Sequence, residues 1–292
     1  MARNILADIR SALSTLNPSE VREAAERPVR IALVADDAED FEAMEDWLAP
    51  PSLSNEKRFE ALESVFRLDE ETQDDRYDFA LVPAGAGLEG DKRFEFYLDN
   101  PRWTACSVLE RRPDLHLALG RVFQPFRREV TFDIIQTVAR ENAMFSLATA
   151  LPNILPGWAS AVWSVGEFAS DTTVLTANQI RMAFLLAAAS DRTVGFKEQR
   201  TEIGSLMAGA FGWRAVAREL AGKIPFGGGL IPKAAIAFAG TFVVGVSLER
   251  LYRVGEGLTR EERKSAYEEA YERGKQIAGA MVEAYKRGRG AR

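Results

Sequence analysis

Two long stretches almost free of charge constrain this chain more than any other feature. Ala143 to Gly166 runs 24 residues without a charged side chain, and Ile224 to Leu248 holds only Lys233. A helix needs about 20 apolar residues to cross a bilayer, so both pass on length. Both are also interrupted. Pro152 and Pro156 divide the first, and Gly227, Gly228, Gly229 and Pro232 divide the second. Proline removes a helical hydrogen bond and clashes with the preceding turn, so each stretch is expected to form a pair of short helices. Such helices suit hairpins inserted in a membrane or the buried core of a helical bundle.

The front of the chain is patterned differently. Val29, Ile31, Leu33 and Val34 make a short strand at about 29–35, and a helix follows from about Glu39 to Leu48, where Pro50 and Pro51 end it. "ESVFRLDE" and "RYDFALVPAG" read as two more strands and "LHLALGR" as a fourth, while "DKRFEFYLDN" and "RWTACSVLERR" read as helices. Strands alternating with helices imply a small parallel sheet. Ahead of it, Ile5, Leu6, Ile9, Leu13 and Leu16 recur at helical spacing, and a second short helix is expected at Pro18 to Glu26. From about Phe126 no further strand is predicted. Thr176 with Gln179 and Thr259 with Glu262 have capping-box spacing and mark helix starts; the latter opens a charged helix running to about Lys286, followed by a frayed tail. The fold class is therefore α/β plus all-α. An N-terminal helical segment at 1–27 precedes a Rossmann-like parallel-sheet domain at 28–125, and an apolar helical bundle or hairpin domain occupies 126–290.

Charge divides along the same line. Residues 1–142 hold 29 acids and 18 bases, whereas 143–292 hold 14 acids and 19 bases. An acidic front argues against a nucleic-acid partner. The basic tail, with Lys286, Arg287, Arg289 and Arg292, suits an anionic membrane surface, where each cation contributes about 1 kcal/mol. Equally, it reads as a solvated terminus. Cys106 is alone, so no disulfide forms within the chain and a reducing compartment is expected. Arg3, Asp8 and Arg10 interrupt any signal-peptide core. The expected location is the cytoplasmic side, peripheral to or hairpin-inserted in the inner membrane, and otherwise the cytoplasm.

The turn after the first strand carries Asp36, Asp37, Glu39 and Asp40, with no glycine or lysine. If Ala35 takes the place of the first glycine of a phosphate loop, Asp40, Phe41 and Glu42 stand where Gly-Lys-Ser/Thr should be. Those acids repel a triphosphate and argue against nucleotide hydrolysis. Asp36, Asp37 and Asp40 are instead candidate ligands for a weakly held magnesium ion. The plainer reading is that they favour the amino end of the helix. His116, inside the apolar "LHLAL", reads as a core residue. With one histidine, one cysteine and no G-x-S-x-G elbow, nothing assembles a zinc site, a Cys/His dyad or a serine triad. No enzymatic activity and no cofactor beyond that magnesium are expected.

Two resemblances follow. "IALVADDAEDFEAMEDWL" is similar to the start of a response-regulator receiver domain, with Asp36 and Asp37 as its acidic pair; "VFQPF" matches the Lys-Pro-Phe after its last strand with Gln124 for lysine. Pro83 stands where the phosphoacceptor aspartate should be, so the resemblance is to a degenerate receiver or Era-like GTPase domain. In the back half, Asn178, Gln179 and Met182 come first, then Gly209, Phe211, Gly212, Arg214 and Arg218, then Pro225, Lys233, Gly240, Thr241 and Gly245. That order resembles the YcjF-type domain of unknown function, associated with GTPase domains and inner-membrane proteins, over about 130–255. Ala235 and Ala239, and Ala237, Thr241 and Gly245, lie at steps of three or four, a spacing that lets helices approach closely. The resemblance implies a non-enzymatic membrane-associated adaptor or scaffold. The alternative is a soluble, oligomeric helical protein whose pseudo-receiver or pseudo-GTPase domain binds a protein partner or a divalent cation.

Overall fold

The computed structural model describes residues 16–68, 76–86, 90–150, 171–206 and 229–290. The helix predicted around Ile5 to Leu13, the prolines at 152 and 156, and Gly227 and Gly228 lie outside them. The chain divides into an α/β unit, 19–132 with 188–193, and a helical unit formed by the remainder.

In the α/β unit, helix α1 (Pro18–Glu26) leads into strand β1 (Ile31–Leu33), helices α2 (Ala38–Leu48) and α3 (Asn55–Leu62), and strand β2 (Val65–Arg67). Strands β3 (Phe79–Pro83) and β4 (Arg93–Phe96) follow, then helix α4 (Pro101–Arg111), a 3-10 turn at Pro113–Leu115, and helix α5 (His116–Val122). The four strands are parallel, in the order β2-β1-β3-β4. Ile31, Ala32 and Leu33, like Phe79 to Val82, are sealed from solvent. Burial on both faces explains why β1 and β3 read as unbroken apolar runs. Because Ile31 pairs with Phe79 and Leu81 with Phe94, strand periodicity puts these large side chains on one face. There Phe79 meets Phe94 at 5.7 Å and Phe126 at 6.4 Å between ring centroids, and Trp47 of α2 meets Phe96 and Phe126. Ala32, Val34, Leu68, Ala80 and Val82 close the opposite face.

Two predicted elements exchange type. "DKRFEFYLDN" forms β4, not a helix, because Phe94 and Phe96 point inward while Arg93 and Glu95 alternate outward. "LHLALGR" forms α5, not a strand. Leu115, Ala118 and Leu119 are all buried, at the i, i+3, i+4 spacing of one helix face.

The helical unit is built on helices α6 (Gln124–Ala150, whose first turns belong to the α/β unit), α7 (Asp171–Ala189), α8 (Leu230–Val254) and α9 (Arg260–Gly290). Helix α7 starts at Asp171, so Thr176 and Gln179 are not its cap but buried mid-helix positions. The Thr259–Glu262 box does cap α9: the Thr259 amide donates to the Glu262 carboxylate at 2.8 Å and the Glu262 amide to the Thr259 hydroxyl at 3.3 Å. Instead of fraying near Lys286, α9 continues to Gly290. Ala139, Ala143 and Leu147 of α6 pack with Ala234, Phe238 and Ala239 of α8 and Ala270 and Ala278 of α9. Small residues let backbones nearly touch. A Cβ on Gly274 would lie 3.0 Å from the Ala235 Cα, and one on Gly245 2.8 Å from Ile135 and 3.0 Å from Met182. Gly255, at φ 88°, ends α8 in the left-handed conformation glycine accepts freely.

Helix α8 is long and apolar enough to cross a membrane by length and composition, and half of its most apolar stretch is buried inside the protein. Residues 230 to 252 are each buried or partly buried, with Ala234, Ala235, Phe238, Ala239 and Val243 fully inside. A helix apolar all round belongs to a protein interior or to a bilayer.

Candidate functional site

In a sheet ordered β2-β1-β3-β4 the connections depart in opposite directions from β1 and β3. Ligands of open parallel sheets bind in the crevice beyond the carboxyl ends of such strands. Asp36 and Asp37 occupy that rim after β1, and both are exposed. Asp37 is the N-cap of α2: its carboxylate accepts the Asp40 amide at 2.8 Å, and Glu39 and Asp40 fill the first turn. Among the described residues no group of three or more His, Cys, Asp or Glu side chains is placed to hold a metal. Asp36, Asp37 and Asp40, the candidate magnesium ligands, thus lie at a helix start, where capping by Asp37 and the helix dipole give these acids a role in the fold.

After β3 the backbone turns at Gly85, φ 83°, and the Gly85 amide donates to Glu95 at 3.2 Å. Glu95 also accepts a short hydrogen bond from the Tyr97 hydroxyl. The Tyr97 hydroxyl and then the Gly85 amide hold the Glu95 carboxyl below its ordinary range, and the same bond pushes Tyr97 up. A backbone N–H that would suit a phosphate at this rim is thus engaged by the chain's own carboxylate. Below the sheet, Arg112 binds Asp114 and the Asp78 carbonyl, while Arg27 bridges Asp78 at 3.0 Å and Asp114 at 2.7 Å. His116 is half-buried, not fully packed, and its Nε2 meets the Leu109 carbonyl at 2.8 Å, tying α5 to α4. Burial, and then Glu129, push the exposed Cys106 thiol up, away from the thiolate a nucleophile needs.

The helical unit brings motif residues together. Asn142 of α6, fully buried, donates to the Thr241 hydroxyl of α8 at 2.8 Å and accepts from the Asn178 amide of α7 at 2.7 Å. Gln179 reaches Thr241 at 3.4 Å. Three helices are therefore joined by one polar cluster inside an apolar core. Asn178, Gln179 and Thr241 were legible in the sequence; Asn142 was missed. Its signal is a carboxamide on the stripe of Val138, Ala139, Ala143 and Phe145, which are otherwise buried apolar positions. Carboxamides and a hydroxyl supply hydrogen bonds without a titratable acid or base. They fix helix register, since burying them unpaired costs more than making the bonds gains.

The other motif residues separate. Met182 packs on Gly245, Gly240 is buried in α8, and Lys233 of α8 donates to the Thr149 hydroxyl at 3.2 Å. Gly209, Phe211, Gly212, Arg214, Arg218 and Pro225 lie outside the described residues. Of the basic tail, Lys286, Arg287 and Arg289 fall within α9, with Arg287 exposed, and Arg292 lies outside.

Beside the polar cluster lies a cleft of about 290 Å³. Gln179 of α7 reaches it, Thr201, Glu202 and Ser205 line it from the helical residues 200–206, and Arg263 of α9 stands at its edge. Its apolar wall is Val243, Val244, Leu248 and Leu251 of α8 with Leu206. Ser247 accepts the Leu258 amide at 3.1 Å, which holds the α8–α9 connection against this wall. Comparison with protein-family models, with curated proteins and with solved structures finds no match to this chain.

Proposed function

We propose that this chain is a non-enzymatic scaffold whose α/β unit, a degenerate receiver- or GTPase-like domain, presents an acidic surface to a protein partner. The observation that carries this reading is the self-occupied rim. Asp37 caps α2 and Glu95 takes the Gly85 amide, so the groups that would hold an anion or a metal serve the fold itself. On this reading the helical unit, YcjF-like in its motif order, is a bundle stable in water. The burial of half of the most apolar stretch of α8 inside the protein supports that. The test is thermal unfolding of the full chain with magnesium and with magnesium plus GTP. The midpoint is expected to stay unchanged. A saturable rise that Asp36→Ala and Asp37→Ala both abolish would sink the proposal.

The length and composition of α8 favour a second reading, a membrane-associated adaptor on the cytoplasmic side of the inner membrane. Flotation with anionic vesicles separates the two. A scaffold in the aqueous phase purifies without detergent and stays at the bottom of the gradient. Flotation at both low and high salt would favour insertion, and flotation at low salt alone would favour a peripheral contact through Arg287 and its basic neighbours.

A further inference from the structure

We propose that the cleft between α7, α8 and residues 200–206 binds a small zwitterion with an apolar side chain, of the free α-amino acid class. Glu202 and Arg263 line this one cleft, yet neither makes an ion pair among the described residues, with each other or with any neighbour. The Arg263 Nε lies 3.4 Å from the Thr259 carbonyl, which leaves both terminal nitrogens for the two-point hydrogen bonding a carboxylate takes. Glu202, half-buried, offers an acceptor to an ammonium.

Charge selects the ligand class. An anion alone would satisfy Arg263 and face Glu202 unpaired; a cation alone would do the reverse. A wholly apolar ligand would strip water from the half-buried Glu202 and replace it with nothing, and would leave the exposed Arg263 unused. A molecule carrying both charges on one end pairs with each, and its side chain then lies on the apolar wall of Val244, Leu248 and Leu251. Size permits it: 290 Å³ lies at the small end of ligand clefts, which run from about 300 Å³ upward, and leaves room for a free amino acid. The site does not depend on the scaffold reading, since it lies wholly in the helical unit.

The experiment titrates the full chain with L-leucine by calorimetry and ligand-observed NMR. Beside it run 4-methylpentanoate, which lacks the ammonium, 3-methylbutylamine, which lacks the carboxylate, and glycine, which lacks the side chain. Leucine is expected to bind, and each of the three analogues to bind tenfold or more weakly. Glu202→Gln and Arg263→Gln should each weaken leucine by a similar factor. Ser205→Trp, at an exposed edge, should fill the cleft and abolish binding, with circular dichroism reporting that all three variants stay folded. If leucine, valine, isoleucine, methionine and phenylalanine all fail to bind at about 10 mM, a concentration that reveals even millimolar affinity, the proposal is overturned. Equal binding of the singly charged analogues, or leucine binding that neither charge variant changes, overturns it as well.

Discussion

The interior of the α/β unit is closed by aromatic rings and large aliphatic side chains, while the interior of the helical unit adds to such side chains, Phe184, Leu186 and Phe238 among them, a high share of alanines, two closely fitted glycines and a group of buried amides. The difference shows where each interior draws its specificity. Parallel strands fix their partners through a backbone ladder, so the rings over Phe79 need only fill space. Helices have no ladder between them and slide along one another unless something polar or tightly fitted stops them. Asn142, Asn178, Gln179 and Thr241 supply the polar stop, and Gly245 and Gly274 the fitted one.

The largest expected effects test this contrast. Phe79→Ala should cost about 3–5 kcal/mol, the range for truncating a buried phenylalanine, read as a lower midpoint in urea. Gly245→Val adds volume where a Cβ already lies 2.8 Å from Ile135, and overpacking of this kind costs about 1–3 kcal/mol. Truncation is the worse change in the sheet and enlargement in the bundle. A Gly245→Val protein as stable as the parent would show that the helices are free to move apart.

Asn142→Ala comes next. It leaves the Asn178 amide and the Thr241 hydroxyl short of their partner, at about 1–3 kcal/mol. Replacing both ends, Asn142→Leu with Thr241→Val, should restore the part of that loss that falls on Thr241, since removing a buried pair together is nearly neutral, while the Asn178 amide stays without Asn142. Recovered stability with broadened NMR lines in the bundle would assign the cluster to register; sharp lines would show that packing alone sets it.

Legibility follows the same division. Strands β1 and β3 were legible because burial on both faces writes an uninterrupted apolar run. Strand β4 and helix α5 were exchanged because both are short. The four residues Arg93 to Phe96 hold only two turns of strand alternation, and His116 and Gly120 blur the helical stripe of Leu115, Ala118 and Leu119. The acids at 36, 37 and 40 were visible, and the capping role weighed beside a metal site is the one the backbone gives Asp37. Asn178, Gln179 and Thr241 were visible as motif residues, but their convergence on Asn142 depends on three helices separated by tens of residues. Glu202 and Arg263 carry no local sign of a site, because packing alone puts them on one cleft.

The rim offers a smaller test. Asp37→Ala removes a helix cap and should cost about 1 kcal/mol, whereas Asp36→Ala should stay within about 0.5 kcal/mol of the parent. Equal losses at the two positions, measured by urea unfolding, would mean that the acids act together and not as one cap beside a bystander.

Acid sharpens the comparison least, and Asp114 of the α/β unit shows how. The Arg112 guanidinium, and after it Arg27, hold the Asp114 carboxyl well below the usual carboxylate range against the opposing effect of burial. A folded-state pKa below the unfolded value of about 4 means the unfolded chain takes up the proton first. The contribution is therefore complete above that pH and is lost as the pH falls toward the folded value. The Asp114 side chain is 45% exposed, so solvent screening reduces the effect to about 0.5 kcal/mol. Between about pH 5 and pH 3, a range set by the unfolded carboxylate, the parent should lose this much more stability than Asp114→Asn, which has no proton to gain. If the two proteins fall in parallel through that range, the Arg27–Asp78–Arg112–Asp114 network contributes nothing that depends on Asp114 ionisation.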